Sequence, residues 1–287
     1  MIDVIKFQGG LGNQMFQYAM YLALRSKKPY SFFLFDIDGS VGCHNGFELP
    51  TIFPSVSLCR ATWYNRLRYR MPFLFKHLKT FKQPNSLTFY PEFLQKENDA
   101  IYDGFWQSEQ YFLDVKDTIF KQFSFNETLL NKETLELRNK LLSETESVSV
   151  HIRRGDYLSE TFRLTCGLEY YQKAISLVSD KLDTPHYYFF SDDIAWVKEN
   201  FPNLNAIFID WNKSKDSWQD MYLMSLCRHN IVANSSFSWW GAWLNANPHK
   251  MVIAPKYWDM RVPPVGFLPS EWILIEEIEL FILRTVR

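Results

Sequence analysis

Short apolar runs alternate with helix-like segments throughout the second half of the chain. The runs with strand character after residue 146 are SVSVHIR, HYYFFS, NAIFID, NIVAN and KMVIAP, and segments such as LEYYQKAISLVSDKL and SWQDMYLMSLC separate them. Successive strands joined by helices form parallel sheets, because each connection must return the chain to the same end of the sheet. We therefore predict an α/β fold with a doubly wound parallel sheet covered on both faces.

The N-terminal half begins with the same kind of unit. VIKFQ is strand-like, GGLGN is a glycine-rich turn, the following run is helical, and YSFFLF is a second strand. A length of 287 residues favours two domains. We expect an N-terminal α/β domain over 1–145 with a helical insertion, a C-terminal α/β domain over 146–270, and a tail over 271–287 that packs back on the body.

Composition excludes several classes of protein. The net charge of −1 argues against a general nucleic-acid binder. The four cysteines form no CxxC pair, so neither a zinc site nor a redox motif is indicated. Met1 leads straight into DVIKFQ without a signal-peptide pattern, and no apolar run approaches the length of a membrane span. We expect a cytoplasmic protein.

Three polar clusters follow predicted strands of the second half. They are His151–Asp156 (HIRRGD), Ser191–Asp193 (SDD) and Asn234–Ser238 (NSSFS). Ligands of doubly wound sheets bind beyond the carboxyl ends of the strands, where these clusters are expected to meet.

The first and third clusters have residues suited to phosphate. Arg153 and Arg154 offer planar guanidinium groups that match a diphosphate, and Ser235 and Ser236 open a helix whose N–H groups attract anions. Each cluster also has a structural interpretation. HIRRGD could be a surface strand end with an Arg–Asp pair, and SSFSWW could be no more than a cap on a core helix.

The second cluster is acidic and therefore needs a different role. Asp192 has two acceptor oxygens, which match the paired N–H donors on the Watson–Crick edge of guanine. Alternatively, Ser191 or Asp192 caps the following helix. Both roles are compatible with one another.

Other features have weaker functional interpretations. The turn at 9–13 fails the dinucleotide-binding pattern, because Met15 stands where the third glycine would be, and no P-loop is present. Asp36-Ile-Asp38 has a spacing seen in metal sites, but such spacing is common by chance. The basic and aromatic stretch over 60–82 is either a solvated helical insertion or a patch that contacts an anionic membrane surface or an acidic acceptor.

Four motifs together resemble the α-1,2-fucosyltransferases of glycosyltransferase family 11. They are FQGGLGNQMFQYA from residue 7, HIRRGDY from residue 151, FFSDDIAWVKENF from residue 189 and SSFSWWGAWL from residue 235. The resemblance implies a GT-B-like fold, with two Rossmann-type domains facing across a cleft. It implies an inverting, metal-independent transfer of L-fucose from GDP-β-L-fucose to O2 of a terminal galactose, in glycan or surface-polysaccharide synthesis. No cofactor is implied.

The resemblance also implies roles for individual residues. Arg153 would contact the β-phosphate of the donor and stabilise the departing GDP. The other donor-binding residues would be His151, Arg154, Asp192, Ser235, Ser236, Phe237, Gly10 and Asn13. The general base stays open, with Asp156 and Glu160 as candidates; alternatively, Asp156 orients one of the arginines. Asn13 could position the acceptor without being a base, and a weak base or a water could suffice for a dissociative transition state. The partners would be GDP-fucose and a galactose-terminated glycan, with peripheral contact at the inner face of the membrane as a separate hypothesis.

Two other functions compete with this interpretation. One is a glycosyltransferase that uses a different nucleotide sugar. The other is a non-catalytic carbohydrate-binding protein, suggested by the aromatic fraction of 17% and the ten tryptophans, although a dense core explains these equally. A dehydrogenase is the weakest option because the glycine fingerprint is broken.

Overall fold

The structure of the protein is a computed structural model. It describes residues 2–37, 39–43, 45–58, 62, 78–95, 99–155, 165–259 and 264–276. These residues divide into two compact units, one of residues 1–127 with 265–269 and the other of residues 128–264 with 270–287. Each unit is built on its own parallel sheet.

The C-terminal unit contains six parallel strands. They are β5 (Ser147–Ile152), β6 (His186–Ser191), β7 (Ala206–Ile209), β8 (His229–Ile231), β9 (Val252–Pro255) and β10 (Ile273–Ile275). Their order in the sheet is β10-β9-β8-β5-β6-β7. The chain moves outward from β5 in one direction and then from β8 in the other. This order is the doubly wound arrangement that the strand pattern predicted.

Five helices of this unit are described. They are α4 (Lys132–Ser143), α5 (Leu168–Ser179), α6 (Ile194–Asn200), α7 (Trp218–Leu226) and α8 (Ser236–Trp243). The middle strands are buried on both faces, and every residue of β5 is buried. Gly241 of α8 lies so close to α7 that an added Cβ atom would be 2.9 Å from the Met224 Cβ. The two helices therefore need glycine there.

The N-terminal unit has a four-stranded parallel sheet in the order β2-β1-β4-β3. The strands are β1 (Ile2–Phe7), β2 (Phe32–Ile37), β3 (Lys79–Lys82) and β4 (Ala100–Asp103), and the helices are α1 (Leu11–Lys27), α2 (Leu49–Ile52) and α3 (Lys116–Gln122). The sequence predicted β1, α1 and β2 but missed β3 and β4, which are four residues long. Nearly every residue of α1 from Leu11 to Leu24 is buried.

Many of the aromatic side chains lie in the hydrophobic cores of the two units. Trp106, Trp239 and Trp240 are fully buried, and Trp239 stacks on Trp243 at a ring distance of 6.0 Å. Burial of these rings supports the dense-core explanation of the tryptophan content over a sugar-binding one.

The predicted α/β fold of GT-B type is confirmed by the two parallel sheets. Contacts divide the chain after Glu127, whereas the sequence pattern placed a boundary near 145. The domain limits drawn from the sequence stay a prediction. Of the predicted tail, β10 pairs with β9, and residues 277–287 lie outside the described part. Within the described residues, every helix is too short or too polar to cross a bilayer.

Candidate functional site

The two halves of the C-terminal sheet diverge between β5 and β8. In sheets of this topology, the loops after the two diverging strands border a crevice in which ligands bind. Here the loop after β5 contains Arg153 and Arg154, and the loop after β8 leads through Asn234 and Ser235 into α8. The topology thus brings together two clusters that are about eighty residues apart in sequence.

Arg153 is oriented by the cluster that follows β6. Its Nη1 lies 2.8 Å from Asp192 Oδ2, and about a third of the Arg153 side chain remains exposed. The other Asp192 oxygen, Oδ1, accepts a hydrogen bond of 2.9 Å from the backbone N–H of Arg154. A partly exposed ion pair contributes only about 0–1 kcal/mol to stability, so its main consequence is a fixed guanidinium position.

Gly155 makes this arrangement possible. A Cβ atom at residue 155 would lie 2.8 Å from Asp192 Oδ2, which is closer than real Cβ contacts allow. The glycine that follows the two arginines in the sequence therefore lets the Asp192 carboxylate approach the loop.

Arg154 contacts the start of α6. Its Nε donates to Asp193 Oδ2 at 3.1 Å, and its guanidinium carbon lies 4.1 Å from the centre of the Trp196 ring. Asp193 also caps α6 by accepting a hydrogen bond from the Trp196 N–H. The expectation that Ser191 or Asp192 caps this helix was therefore wrong, since Asp193 does so; Ser191 Oγ accepts from the Asp193 N–H instead.

His151 is a buried neutral imidazole. It lies on β5 with 7% of its surface exposed, and its ring is 5.9 Å from that of Phe237 on α8. Burial, and secondarily the charge of Arg153, lowers the pKa of His151 to about 3. Its Nδ1 is buried and has no hydrogen-bond partner among the described residues. A buried polar atom of this kind calls for a partner, and a bound water, ion or ligand group can supply it.

Ser235 caps α8. Its side chain accepts a hydrogen bond of 3.3 Å from the Phe237 N–H, while Ser236 and Phe237 stay partly exposed. Asn234 is buried and donates to the Trp258 carbonyl. The expected cap on a core-facing aromatic helix is therefore present, and it lies beside His151.

In the N-terminal unit, Gly10 and Asn13 follow β1. The Gly10 carbonyl accepts from the Asn13 and Gln14 N–H groups at 3.0 and 3.1 Å, so Gly10 is the N-cap residue of α1. Asn13 Oδ1 accepts a hydrogen bond of 2.8 Å from Gln107 Nε2, which comes from the loop after β4. Gln107 was not predicted from the sequence, although it stands just beyond a short apolar run, as the other polar clusters do.

Some predicted site residues lie outside the described part of the chain. Asp156 and Glu160 are among them, as are Asp38 and most of the 60–82 stretch. The suggestion that Asp156 orients an arginine stays a prediction. Asp192 and Asp193 do orient the two arginines, one each.

The described residues contain no group of three or more His, Cys, Asp or Glu side chains arranged to hold a metal ion. The acidic cluster after β6 is paired with the arginines.

Sequence comparisons identify relatives that cover most of the chain. The profile of glycosyl transferase family 11 matches residues 64–275. An Escherichia coli alpha-1,2-colitosyltransferase is 33% identical over 96% of this chain and 99% of its own length. The Escherichia coli O-antigen biosynthesis glycosyltransferase WbnK is also 33% identical, over 87% of this chain and 92% of its own. Human galactoside alpha-(1,2)-fucosyltransferase 1 is 24% identical over 92% of this chain and 72% of its own.

A solved structure shares the fold at low sequence identity. The fucosyltransferase NodZ from Bradyrhizobium superposes with a TM-score of 0.53 over 91% of this chain and 96% of its own, with 16% identical residues. The likeness extends over both sheets and supports the same two-unit α/β architecture.

Proposed function

The chain belongs to glycosyl transferase family 11, and from this membership we propose that it transfers L-fucose from GDP-β-L-fucose to O2 of a terminal β-galactoside. The observation that carries the proposal is the convergence of Arg153, His151 and the start of α8 at the divergence of β5 and β8. A cationic side chain, a buried imidazole and a helix N-terminus together suit a diphosphate.

The proposed reaction is a single displacement with inversion. The bond between fucose C1 and the β-phosphate oxygen breaks, a bond forms between C1 and the acceptor O2, and the hydroxyl proton passes to a base. The transition state has positive charge on the sugar and growing negative charge on GDP. A guanidinium fixed before the reaction stabilises that negative charge without having to reorganise.

Arg153 is proposed to supply this stabilisation, with Asp192 holding it in place. Arg154, which stacks on Trp196, is proposed to stabilise the loop on the donor side. His151 would donate or accept one hydrogen bond as a neutral ring, because its lowered pKa keeps it uncharged at neutral pH.

The remaining donor-side residues are proposed on chemistry alone. Ser235, Ser236 and Phe237 would line the diphosphate at the start of α8, and Gly10 would contribute from the N-terminal unit. Asn13, which the family resemblance placed on the donor side, is assigned to the acceptor below. Asp156 and Glu160 stay the candidates for the base. No metal is required in this scheme, since the arginines provide the positive charge.

Colitose is a specific second candidate for the transferred sugar. A relative at 33% identity is named an alpha-1,2-colitosyltransferase, and colitose is fucose without the 3-hydroxyl group. A site that hydrogen-bonds a hydroxyl group rejects the analogue that lacks it by about 10⁴-fold or more, whereas an apolar site tolerates either sugar. The ratio of the rates with GDP-fucose and GDP-colitose therefore shows whether the sugar pocket hydrogen-bonds the 3-hydroxyl group.

A donor panel tests the proposal. We expect transfer to methyl β-galactoside from GDP-fucose, or from GDP-colitose under the second candidate, and none from UDP-galactose or ADP-heptose. EDTA should leave the rate unchanged, and the product should be the α-1,2 disaccharide by NMR. Transfer from a UDP-sugar, or calorimetry in which UDP binds as tightly as GDP, would refute the assignment of the donor.

A further inference from the structure

We propose that Gln107 is a positioning residue, which holds the Asn13 side-chain amide so that its NH2 group faces a hydroxyl group of the acceptor sugar. This inference rests on the proposed transferase function. It assigns a role to a residue in the part of the chain for which the sequence motifs offered none.

The location of the pair follows from the topology of the N-terminal sheet. Strands β1 and β4 are parallel neighbours, so their carboxyl ends lie side by side at one edge of the sheet. Asn13 lies in the first turn of α1 after β1, and Gln107 lies four residues after β4. The pair therefore occupies the ligand-binding position of this sheet.

The hydrogen bond fixes which end of the Asn13 amide is presented. Gln107 Nε2 donates to Asn13 Oδ1 at 2.8 Å. A primary amide has one oxygen acceptor and one NH2 donor, so the engaged oxygen leaves NH2 as the group for a ligand. Glycine at residue 9 leaves room for the Asn13 NH2 group. Its φ is +75°, and a Cβ atom there would lie 2.5 Å from Asn13 Nδ2.

A strained loop presents Gln107. The preceding residue, Trp106, is completely buried and has a φ of +56°, which is rare for a bulky side chain. Gln83 Oε1 accepts from the N–H groups of both Phe105 and Trp106, at 3.0 and 2.9 Å. Strain of this kind persists only where the surroundings enforce it, and it is concentrated at binding sites.

A buried glutamine joins the two loops. Gln17 is fully buried, and its Oε1 accepts from the Gln8 N–H while its Nε2 donates to the carbonyls of Gln8 and Gly104. The loops after β1 and β4 therefore form one rigid frame around Asn13 and Gln107. A rigid frame reduces the ordering cost of binding.

The chemistry of the pair identifies the class of ligand. Asn13 and Gln107 are neutral amides, which donate to and accept from hydroxyl groups but give no charge to balance a phosphate. A neutral hexose with free hydroxyl groups is the matching ligand, and in the proposed reaction that is the galactose of the acceptor.

Two substitutions of Gln107 test the proposal in the complete protein. Gln107→Ala removes the donor, and Gln107→Glu keeps the shape but offers no N–H at neutral pH. We expect both to raise KM for methyl β-galactoside about tenfold, with KM for the GDP-sugar and the melting temperature unchanged. The control is Gln95→Ala, an exposed glutamine of the same unit, which should behave as wild type.

A double-mutant cycle shows whether Gln107 acts through Asn13. If it does, Gln107→Ala raises KM for methyl β-galactoside by less than twofold when Asn13 is already alanine. Equal effects in both backgrounds would overturn the proposal, as would unchanged acceptor KM in the single variants or a donor KM that rises equally. Wild-type protein inactive with every GDP-sugar would instead refute the proposed function, so the two failures are distinguishable.

Discussion

The C-terminal and N-terminal units carry different side chains beyond the carboxyl ends of their neighbouring central strands. Beyond β5 and β8 the C-terminal unit has an oriented arginine, a buried histidine and a capped helix. Beyond β1 and β4 the N-terminal unit has two paired amides. The first set suits an anion, and the second suits a neutral molecule with hydroxyl groups.

This difference shows that the topology fixes where a ligand binds, while the loops decide which ligand binds. A transferase of nucleotide sugars needs both kinds of site, because its donor is anionic and its acceptor is neutral. Substitutions, pH and salt each test this division of roles between the two units.

Removing the charge at residue 153 should cause the largest loss. We expect Arg153→Ala to lower kcat about 10²- to 10³-fold while the circular dichroism spectrum stays the same, because a fixed donor to the leaving group is lost. Steady-state kinetics measure the effect. Arg25→Ala replaces an exposed arginine of α1 and should retain full activity. If the Arg153→Ala variant keeps the wild-type kcat, the C-terminal unit does not stabilise the anionic leaving group through this residue.

Protonation of His151 should destabilise the C-terminal unit in acid. The unfolded chain binds this proton below about pH 6.5, whereas the folded protein excludes it until about pH 3. The contribution of His151 to stability therefore falls as the pH falls through that window, by an amount of the order of 3 kcal/mol at pH 4. Asp220, whose pKa burial raises to about 8, contributes in the opposite direction.

Urea unfolding from pH 8 to pH 4 measures this contribution. The stability of wild type relative to His151→Gln should decline over this range, whereas its stability relative to His249→Gln, at an exposed histidine of the same unit, should stay constant. Parallel pH profiles for wild type and the 151 variant would contradict the assignment of a buried neutral ring.

The loops after β1 and β4 in the N-terminal unit should depend on Gln17 for their stability. Gln17→Leu keeps the volume but leaves the Gln8 N–H and two carbonyls without their partner, which should lower the free energy of unfolding by about 2 kcal/mol. Calorimetric GDP affinity should change little. A loss of GDP binding equal to the loss of acceptor binding would show that the two units do not act separately.

The smallest expected effect is that of salt, which should weaken the binding of GDP but not that of the neutral acceptor. Between 50 and 500 mM NaCl we expect Kd for GDP to rise several-fold, since salt screens the attraction between a guanidinium and phosphate. KM for the neutral acceptor should stay within about twofold. An acceptor KM that follows the GDP curve would show that charge contributes to both sites.

The sequence predicted the regular parts of the fold because they follow from local patterns. The strands SVSVHI and HYYFFS are apolar runs of strand length, and α5 has a clear helical period, so each was identified correctly. Strand β3 was missed because KTFK has one apolar residue among polar ones, and β4 was missed because AIYD is an apolar run of only three residues that ends in an aspartate.

The candidate site was predicted only in part. Position after a strand was enough to single out Arg153, Asp192 and Ser235, because parallel strands end at one edge. The partners of these residues were not predictable. That Asp192 pairs with Arg153 and Asp193 with Arg154 depends on contacts across nearly forty residues of sequence.

The amino-acid sequence by itself determined the two α/β units, the residues that follow the strands and the family, since these depend on local periodicity and on motifs in fixed order. Tertiary structure alone decided which side chains meet. The pairing of Gln107 with Asn13 and the burial of His151 arise from the order of strands in the sheets, which brings residues far apart in sequence within hydrogen-bonding distance or removes them from water. Those distances set the pKa values and the orientations on which the proposed chemistry depends.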